Sequence, residues 1–243
     1  MNKYRKASLI LLAIASLPLL VIASLYIMIN GGISNTIRNL KPGPDLAGAA
    51  LKSDRTKLAA EIHWAFQSVV TNTSFVYYAT SSHDRCYPGQ NNFHMTEGFA
   101  HRCTLRLTRF YGFDGDFRQG MIDFEKRSVA AGWKLGRNYS KNLGDQNMEY
   151  MMIHYYDIRP NVTVDQIARP VGYNRGNLVL VVDWAERATQ YFDSLAAIQR
   201  MDFGNLASYD RASFQSGNDF FRSATQDHRF ILGVAIYGHY FEN

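Results

Sequence analysis

A run of 24 residues without a charged side chain, Ala7 to Asn30, lies close to the N-terminus. A helix of this length rises by roughly 36 Å, which exceeds the roughly 30 Å of a bilayer's hydrocarbon core. Pro18 is compatible with such a helix, because neighbouring groups can satisfy the carbonyl that a proline leaves unpaired. The run therefore predicts a transmembrane helix over residues 7–30.

The basic residues before the run predict its orientation. Lys3, Arg5 and Lys6 precede it, and no acidic residue does. An excess of positive charge favours retention on the cytoplasmic side. We expect residues 1–6 to be cytoplasmic and everything beyond residue 30 to lie outside the cytoplasm, attached to the cell membrane by one pass.

A cleaved secretory signal is the alternative, and it would export the same residues. Val21 and Ala23 satisfy the small-residue rule for cleavage before Ser24. The apolar stretch continues through Leu25 to Ile29, however, which would make an unusual mature N-terminus. An uncleaved signal-anchor is the preferred interpretation.

The charge distribution argues against a nucleic-acid partner. Three of the five net positive charges precede the apolar run, so about two remain beyond it. There the basic residues alternate with acidic ones, as in Asp54–Lys57 and Asp123–Arg127, rather than forming the concentrated stripe of a nucleic-acid binder. The expected partners are the lipid bilayer, through the N-terminal helix, and a protein of the cell envelope.

Residues 31–52 are predicted to tether the helix to a globular domain over residues 53–243. Lys41-Pro42-Gly43-Pro44 lies within the tether and is typical of a connecting segment. The remaining length is sufficient for one sizeable core.

Both cysteines lie in the exported part. In an oxidising compartment Cys86 and Cys103 can form one intramolecular disulfide, which would stabilise the fold by about 3 kcal/mol. A zinc site is the alternative, because His83, His94 and His101 lie in the same stretch. The spacing matches none of the paired-ligand patterns of zinc sites, so the disulfide is preferred, and no metal or cofactor is expected.

Hydrophobic periodicity predicts an α+β fold with a mainly antiparallel sheet and helices packed on one face. Helices are predicted over 54–70 and 117–131, and strands over 74–80, 103–111, 147–157, 178–182 and 230–241, the last of these closing the sheet. Residues 158–176 are predicted to form a long loop. The pattern does not decide between helix and strand over 184–200, and it gives no prediction over 201–228.

The helix over 117–131 has local start and stop signals. Asp114 or Asp116 is available as its N-cap, and Gly132 follows at the position where a left-handed residue is favoured. Ser53 or Asp54 is the corresponding candidate for the helix over 54–70.

Motifs that indicate catalysis are scarce. Gly112, Gly115 and Gly120 do not have the spacing of a phosphate-binding loop, and neither a G-x-S-x-G nor an S-x-x-K motif occurs. A calcium loop that begins at Asp114 would place Arg118 where a ligand is required, which excludes it.

Two weak constellations leave an envelope hydrolase open as an alternative. His94 and Glu97 have the two-ligand spacing of zinc carboxypeptidases, and His228 would have to supply a third ligand. His154 and Asp183 lie on or beside predicted strands, where they are candidates for general acid–base chemistry. A non-enzymatic interaction module of the envelope remains the preferred hypothesis.

A third hypothesis is a glycan or peptide groove lined by aromatic residues, since these make up 14% of the chain. Its ligand would change the fluorescence of Trp64, Trp133 or Trp184.

Overall fold

The computed structural model describes residues 18, 20–71, 73–92, 94, 96–136, 171–186, 209–214 and 227–243. Its internal contacts divide the chain into two compact units. The small unit comprises Met1–Pro44, Tyr87–Arg102 and Glu242–Asn243, and the large unit comprises Asp45–Cys86 and Cys103–Phe241.

The described strands form one seven-stranded sheet in the order β3-β4-β5-β7-β2-β1-β6. Their bounds are β1 Val76–Pro88, β2 His101–Phe113, β3 Lys134–Leu135, β4 Val171–Arg175, β5 Leu178–Glu186, β6 Tyr209–Phe214 and β7 Phe230–Glu242. The pairs β3–β4, β4–β5, β5–β7 and β1–β6 are antiparallel, as predicted. The last strand is an exception to the predictions: β7 lies at the centre of the sheet rather than closing it.

Two helices of the large unit cover one face of the sheet. α3 spans Ala49–Val70 and α4 spans Phe117–Ala130. Both helices contribute side chains to the main core, together with alternate residues of the strands. The strand residues that point to the other face of the sheet form a second cluster, which has no helical member among the described residues. It consists of Ala79, Phe110, Val181, Ile231 and Ala235.

The termini of α4 are those that the sequence predicts. The Asp116 side chain accepts a hydrogen bond from the Gln119 backbone N–H at 3.0 Å. At the other end Gly132 has φ +87°, and the Trp133 N–H reaches back to the Ser128 carbonyl at 3.0 Å. This is the Schellman ending, in which a glycine in the left-handed region lets the chain leave the helix.

The start of α3 differs from the prediction. The helix begins at Ala49 with Gly48 as its N-cap, so Ser53 and Asp54 lie inside it rather than capping it. Residues 49–52 read Ala-Ala-Leu-Lys, all of them strong helix formers, and they extend the helix by more than one turn.

Part of the predicted loop over 158–176 is a strand. Val171–Arg175 forms β4, which pairs with β5. The two residues Gly176 and Asn177 connect the two strands. Gly176 has φ +60°, the conformation that a tight hairpin turn requires. The predicted strand over 147–157 and residues 158–170 lie outside the described residues.

The regions that the periodicity left open are partly strand. β5 continues through Trp184 to Glu186, and β6 occupies Tyr209–Phe214 at the edge of the sheet. Residues 187–208 lie outside the described residues.

The small unit contains two short helices, α1 (Leu20–Ile29) and α2 (Ile33–Asn39). Within the described residues no single helix has the length and apolarity to cross a membrane. α1 and α2 meet that criterion only as a pair, and they are bent by 87° at the break between them.

Candidate functional site

The two cysteines form the predicted disulfide. Cys86 on β1 and Cys103 on β2 are both fully buried, and their Cα atoms are 4.0 Å apart. β1 and β2 are neighbours in the sheet, which brings the two cysteines together. Because the two sulfur atoms bind each other, neither is available to zinc.

A buried carboxylate lies next to the disulfide. Asp84 on β1 is 2% exposed, and it accepts hydrogen bonds from the Arg55 guanidinium of α3 and from the Tyr240 hydroxyl, the latter at 2.8 Å. The Tyr240 hydroxyl also lies 3.6 Å from Cys86 Sγ. These contacts tie α3 to the sheet, which is a structural role.

The predicted metal ligands His94 and Glu97 lie in the small unit. The Glu97 carboxylate accepts a hydrogen bond from the Gln90 backbone N–H. The backbone N–H of the exposed His94 donates to Asn92 Oδ1. Glu97 thus braces the loop between β1 and β2. Among the residues that the structure describes, no group of three or more His, Cys, Asp or Glu side chains is arranged to hold a metal ion.

The second predicted pair is described only in part. Asp183 is buried on β5, and its Oδ1 accepts a hydrogen bond from the Trp184 backbone N–H at 2.8 Å. His154 lies outside the described residues.

The structure instead brings together a cluster of polar residues at the end of β2. Asp114 accepts hydrogen bonds from His228 Nδ1 and from the Arg229 backbone N–H, the latter at 2.7 Å. The Tyr78 ring meets the His228 ring edge-on at 5.4 Å between centroids, and its hydroxyl donates to Asp227 Oδ2 at 3.2 Å.

This arrangement fixes the tautomer of the His228 imidazole. A carboxylate only accepts hydrogen bonds, so Nδ1 carries a proton and Nε2 is left as the acceptor in the neutral ring. Burial, together with the hydrogen bond and charge of Asp227, raises the pKa of Tyr78, which therefore stays protonated near neutral pH.

A second surface of interest lies on α3. Trp64 is 61% exposed, yet the guanidinium of Arg175 lies 5.0 Å from its ring centroid. The same guanidinium is 4.7 Å from the ring of the buried Trp133, and its NH1 donates to the Ala131 carbonyl at 3.2 Å. Burial lowers the pKa of Arg175 and the charge of Glu61 opposes that shift, but an arginine remains charged at neutral pH. We call Trp64 and Arg175 the tryptophan platform.

Comparison of the chain with protein-family models, with curated proteins and with solved structures found no match. The geometry of the candidate sites is therefore the basis for inferring their function.

The sequence predicts neither the cluster of Tyr78, Asp114, Asp227 and His228 nor the tryptophan platform. Asp114 was a candidate helix cap, but Asp116 takes that role while Asp114 binds His228, which is 114 residues away. Of the three tryptophans proposed as reporters, Trp133 and Trp184 are buried, so Trp64 alone is available to a ligand.

Proposed function

We propose that the protein is a single-pass membrane protein whose α+β domain lies outside the cytoplasm and binds a protein partner of the cell envelope through the tryptophan platform. The observation that carries the interaction role is an exposed tryptophan held in place by a stacked arginine. Tryptophan and arginine are among the residues most enriched at the energetic centres of protein interfaces. Because Arg175 already fixes one side of the ring, binding would cost little side-chain entropy.

Membrane attachment is supported by the surface of α1. Its apolar side chains point outward, with exposed residues at Leu20, Ile22, Leu25, Met28 and Ile29. A soluble protein rarely presents so continuous an apolar surface. The export of the domain is supported by the basic residues before the run and by the buried disulfide, which is typical of oxidising compartments.

A photocrosslinking experiment tests the interaction. A photoreactive amino acid replaces Gln67, an exposed residue near Trp64 on α3, in the full-length protein in its native membrane. We expect one discrete adduct in the wild-type background and its loss in the Trp64→Ala background. Val129→Ala, which shortens an exposed apolar side chain of α4, is the matched control and should leave the adduct intact. An adduct that persists without Trp64 would refute the proposed binding face.

Topology is tested separately with a thiol reagent that cannot enter cells. Cysteine replaces Asn2 in one variant and Lys41 in another, while the native cysteines are protected in their disulfide. The reagent should label position 41 and not position 2. The reverse pattern would place the domain in the cytoplasm.

A stacking ligand such as a glycan would use the same platform. Because Trp64 is the exposed tryptophan, titration with cell-wall fragments would quench its fluorescence and leave that of the Trp64→Phe variant unchanged. Saturable quenching without a protein adduct would favour the glycan over the protein partner.

General acid–base hydrolysis is a second candidate, favoured by the Asp114–His228 pair. An imidazole oriented by a carboxylate at Nδ1 has the arrangement that activates nucleophiles in many hydrolases. If an ester or peptide panel reveals turnover, His228→Gln should reduce kcat by about 10²-fold or more, and thermal unfolding verifies that the variant is folded at the assay temperature. Turnover that survives this substitution would exclude His228 as the base.

A further inference from the structure

The surface of α2 carries an apolar stripe that no described part of the protein covers. Ile33, Ile37 and Leu40 are 65%, 60% and 69% exposed. Their spacing of four and three residues places them on one side of the helix and its C-cap. We call these three residues the α2 stripe.

The opposite side of α2 is polar and buried. Asn35 and Thr36 are both shielded from solvent, and Asn35 Nδ2 donates to Thr96 Oγ1 at 2.9 Å. Asn39 Nδ2 donates to the Asn91 carbonyl at 2.8 Å. A helix on the surface of a soluble protein turns its apolar side inward. In α2 this order is inverted, with polar side chains binding the loop between β1 and β2.

The connection to α1 defines a direction. Gly31 and Gly32 have φ of +74° and +114°, and the two helices are bent by 87° at this point. Transmembrane helices are tilted by about 20° on average from the bilayer normal. If α1 continues the membrane-spanning run, α2 therefore lies nearly parallel to the membrane plane.

We infer that α2 is an interfacial helix, with the α2 stripe inserted at the boundary between headgroups and acyl chains of the outer leaflet. This inference rests on the membrane attachment proposed above. Lipid is the occupant that we favour, because the stripe follows the exposed apolar residues of α1 directly in the chain, separated from them only by Asn30, Gly31 and Gly32. An amphipathic segment in this position buries its apolar side in the lipid and keeps its polar side in contact with water or protein.

The consequence is that the β1–β2 loop is held close to the membrane surface. Asn91 is buried, and its Nδ2 donates to the Phe99 carbonyl at 2.6 Å, so the loop that receives α2 has a fixed conformation of its own. The Arg38 guanidinium adds a second connection between α2 and the loop. Its NH1 donates to Asn35 Oδ1 of α2 at 2.8 Å and to Asn91 Oδ1 of the loop at 3.4 Å. Anchoring the stripe in lipid would thus orient the entire small unit.

Spin-label accessibility in the full-length protein tests this inference. Single cysteines replace Ile37 in the stripe, Ile22 in α1 and Lys52 on the exposed surface of α3, and each carries a nitroxide. The protein is reconstituted into bilayers of phosphatidylethanolamine and phosphatidylglycerol. Collision rates are measured with oxygen, which concentrates in lipid, and with a water-soluble nickel chelate. Thermal unfolding of each variant verifies that the fold is intact.

We expect the ratio of oxygen to nickel collisions at position 37 to exceed that at position 52 several-fold. A lipid-like ratio at position 22 combined with a water-like ratio at position 37 would overturn the interfacial helix and leave the membrane anchor in place. Low collision rates with both reagents at position 37 would indicate a protein cover and would also overturn it. A water-like ratio at position 22 would overturn the anchor and, with it, this inference.

Discussion

The imidazole of His228 lies against the backbone of Gly112, in space that any other residue would fill. A Cβ atom at position 112 would fall 2.1 Å from His228 Cδ2 and 2.8 Å from Tyr78 Cε2. The absence of a side chain on this part of β2 is therefore what permits the histidine to lie over the strand and reach Asp114.

Gly112→Ala should displace His228 and break its contact with Asp114. Overpacking of this kind costs about 1–3 kcal/mol, less where the flexible side chain can move away. Urea denaturation measures the loss, and the imidazole resonances of His228 report the displacement. Gly43→Ala is the control, since a Cβ there would be 3.6 Å from its nearest neighbour and should change stability by less than about 0.5 kcal/mol. Unchanged imidazole resonances in Gly112→Ala would show that the ring does not occupy this position.

Arg55→Ala should be strongly destabilising, because it leaves the Asp84 carboxylate buried without its charged partner. Removal of one member of a buried pair costs about 3–5 kcal/mol, and the partial exposure of Arg55 places the expected value near the lower limit. Tyr240→Phe removes a single hydrogen bond to the same carboxylate and should cost about 1–3 kcal/mol. Both values are measured by chemical denaturation at neutral pH.

Lys57→Ala, on the same helix, is the matched control for Arg55→Ala. Lys57 pairs with Asp54 at 3.2 Å, and both side chains are exposed. Such surface pairs contribute about 0–1 kcal/mol. Similar losses for Arg55→Ala and Lys57→Ala would mean that the burial of Asp84 has no energetic consequence.

Local signals account for the elements that the sequence predicted well. Asp116 and Gly132 define both ends of α4 through contacts within a few residues, so no knowledge of the rest of the fold was needed. Alternation along β2 and β7 likewise predicts strands at these positions. Their order in the sheet was not predictable, because pairing of β7 with β5 and β2 depends on contacts between distant segments.

The candidate sites depended on such distant contacts. Nothing in the sequence near Asp114 indicates His228, and nothing near Trp64 indicates that Arg175 stacks on its ring. The α2 stripe is visible in the spacing of Ile33, Ile37 and Leu40, but a seven-residue helix is unstable in isolation. The segment Lys41-Pro42-Gly43-Pro44 instead predicts a tether over residues 31–52. The hydrogen bonds of α2 to the β1–β2 loop stabilise this helix.

Replacement of both cysteines by alanine should destabilise the domain by about 3 kcal/mol, the value expected for a closed loop of this size. The two positions are 17 residues apart in the sequence. Chemical denaturation of the double variant should match that of the wild type in the presence of a reductant. A wild-type protein that is equally stable with and without reductant would contradict a structural role for the bridge.

The stability of the domain should fall as the pH rises above about 10, the ordinary pKa of tyrosine. Burial raises the pKa of Tyr111 to about 12, against the opposing charge of Arg109. Burial, with the nearby carboxylate of Glu125, raises the pKa of Tyr173 as well. In each case folding favours the protonated form. The contribution of each tyrosine to the free energy of unfolding is complete below its pKa in the unfolded state, and it is lost as the pH rises toward its pKa in the folded state.

Tyr111→Phe measures how much of this loss of stability at alkaline pH is due to Tyr111 alone. Between about pH 10 and pH 12, Tyr111 contributes a decline of up to about 3 kcal/mol, since each unit of pKa difference corresponds to about 1.4 kcal/mol. The variant should show a shallower decline over this range, with the remaining slope due to Tyr173 and other alkaline-titrating groups. Urea denaturation across the range measures both slopes, and Val129→Ala, which alters no titratable group, should keep the wild-type slope. If Tyr111→Phe declines as steeply as the wild type, Tyr111 ionises equally readily in the folded and unfolded states, and its burial does not cause the alkaline instability.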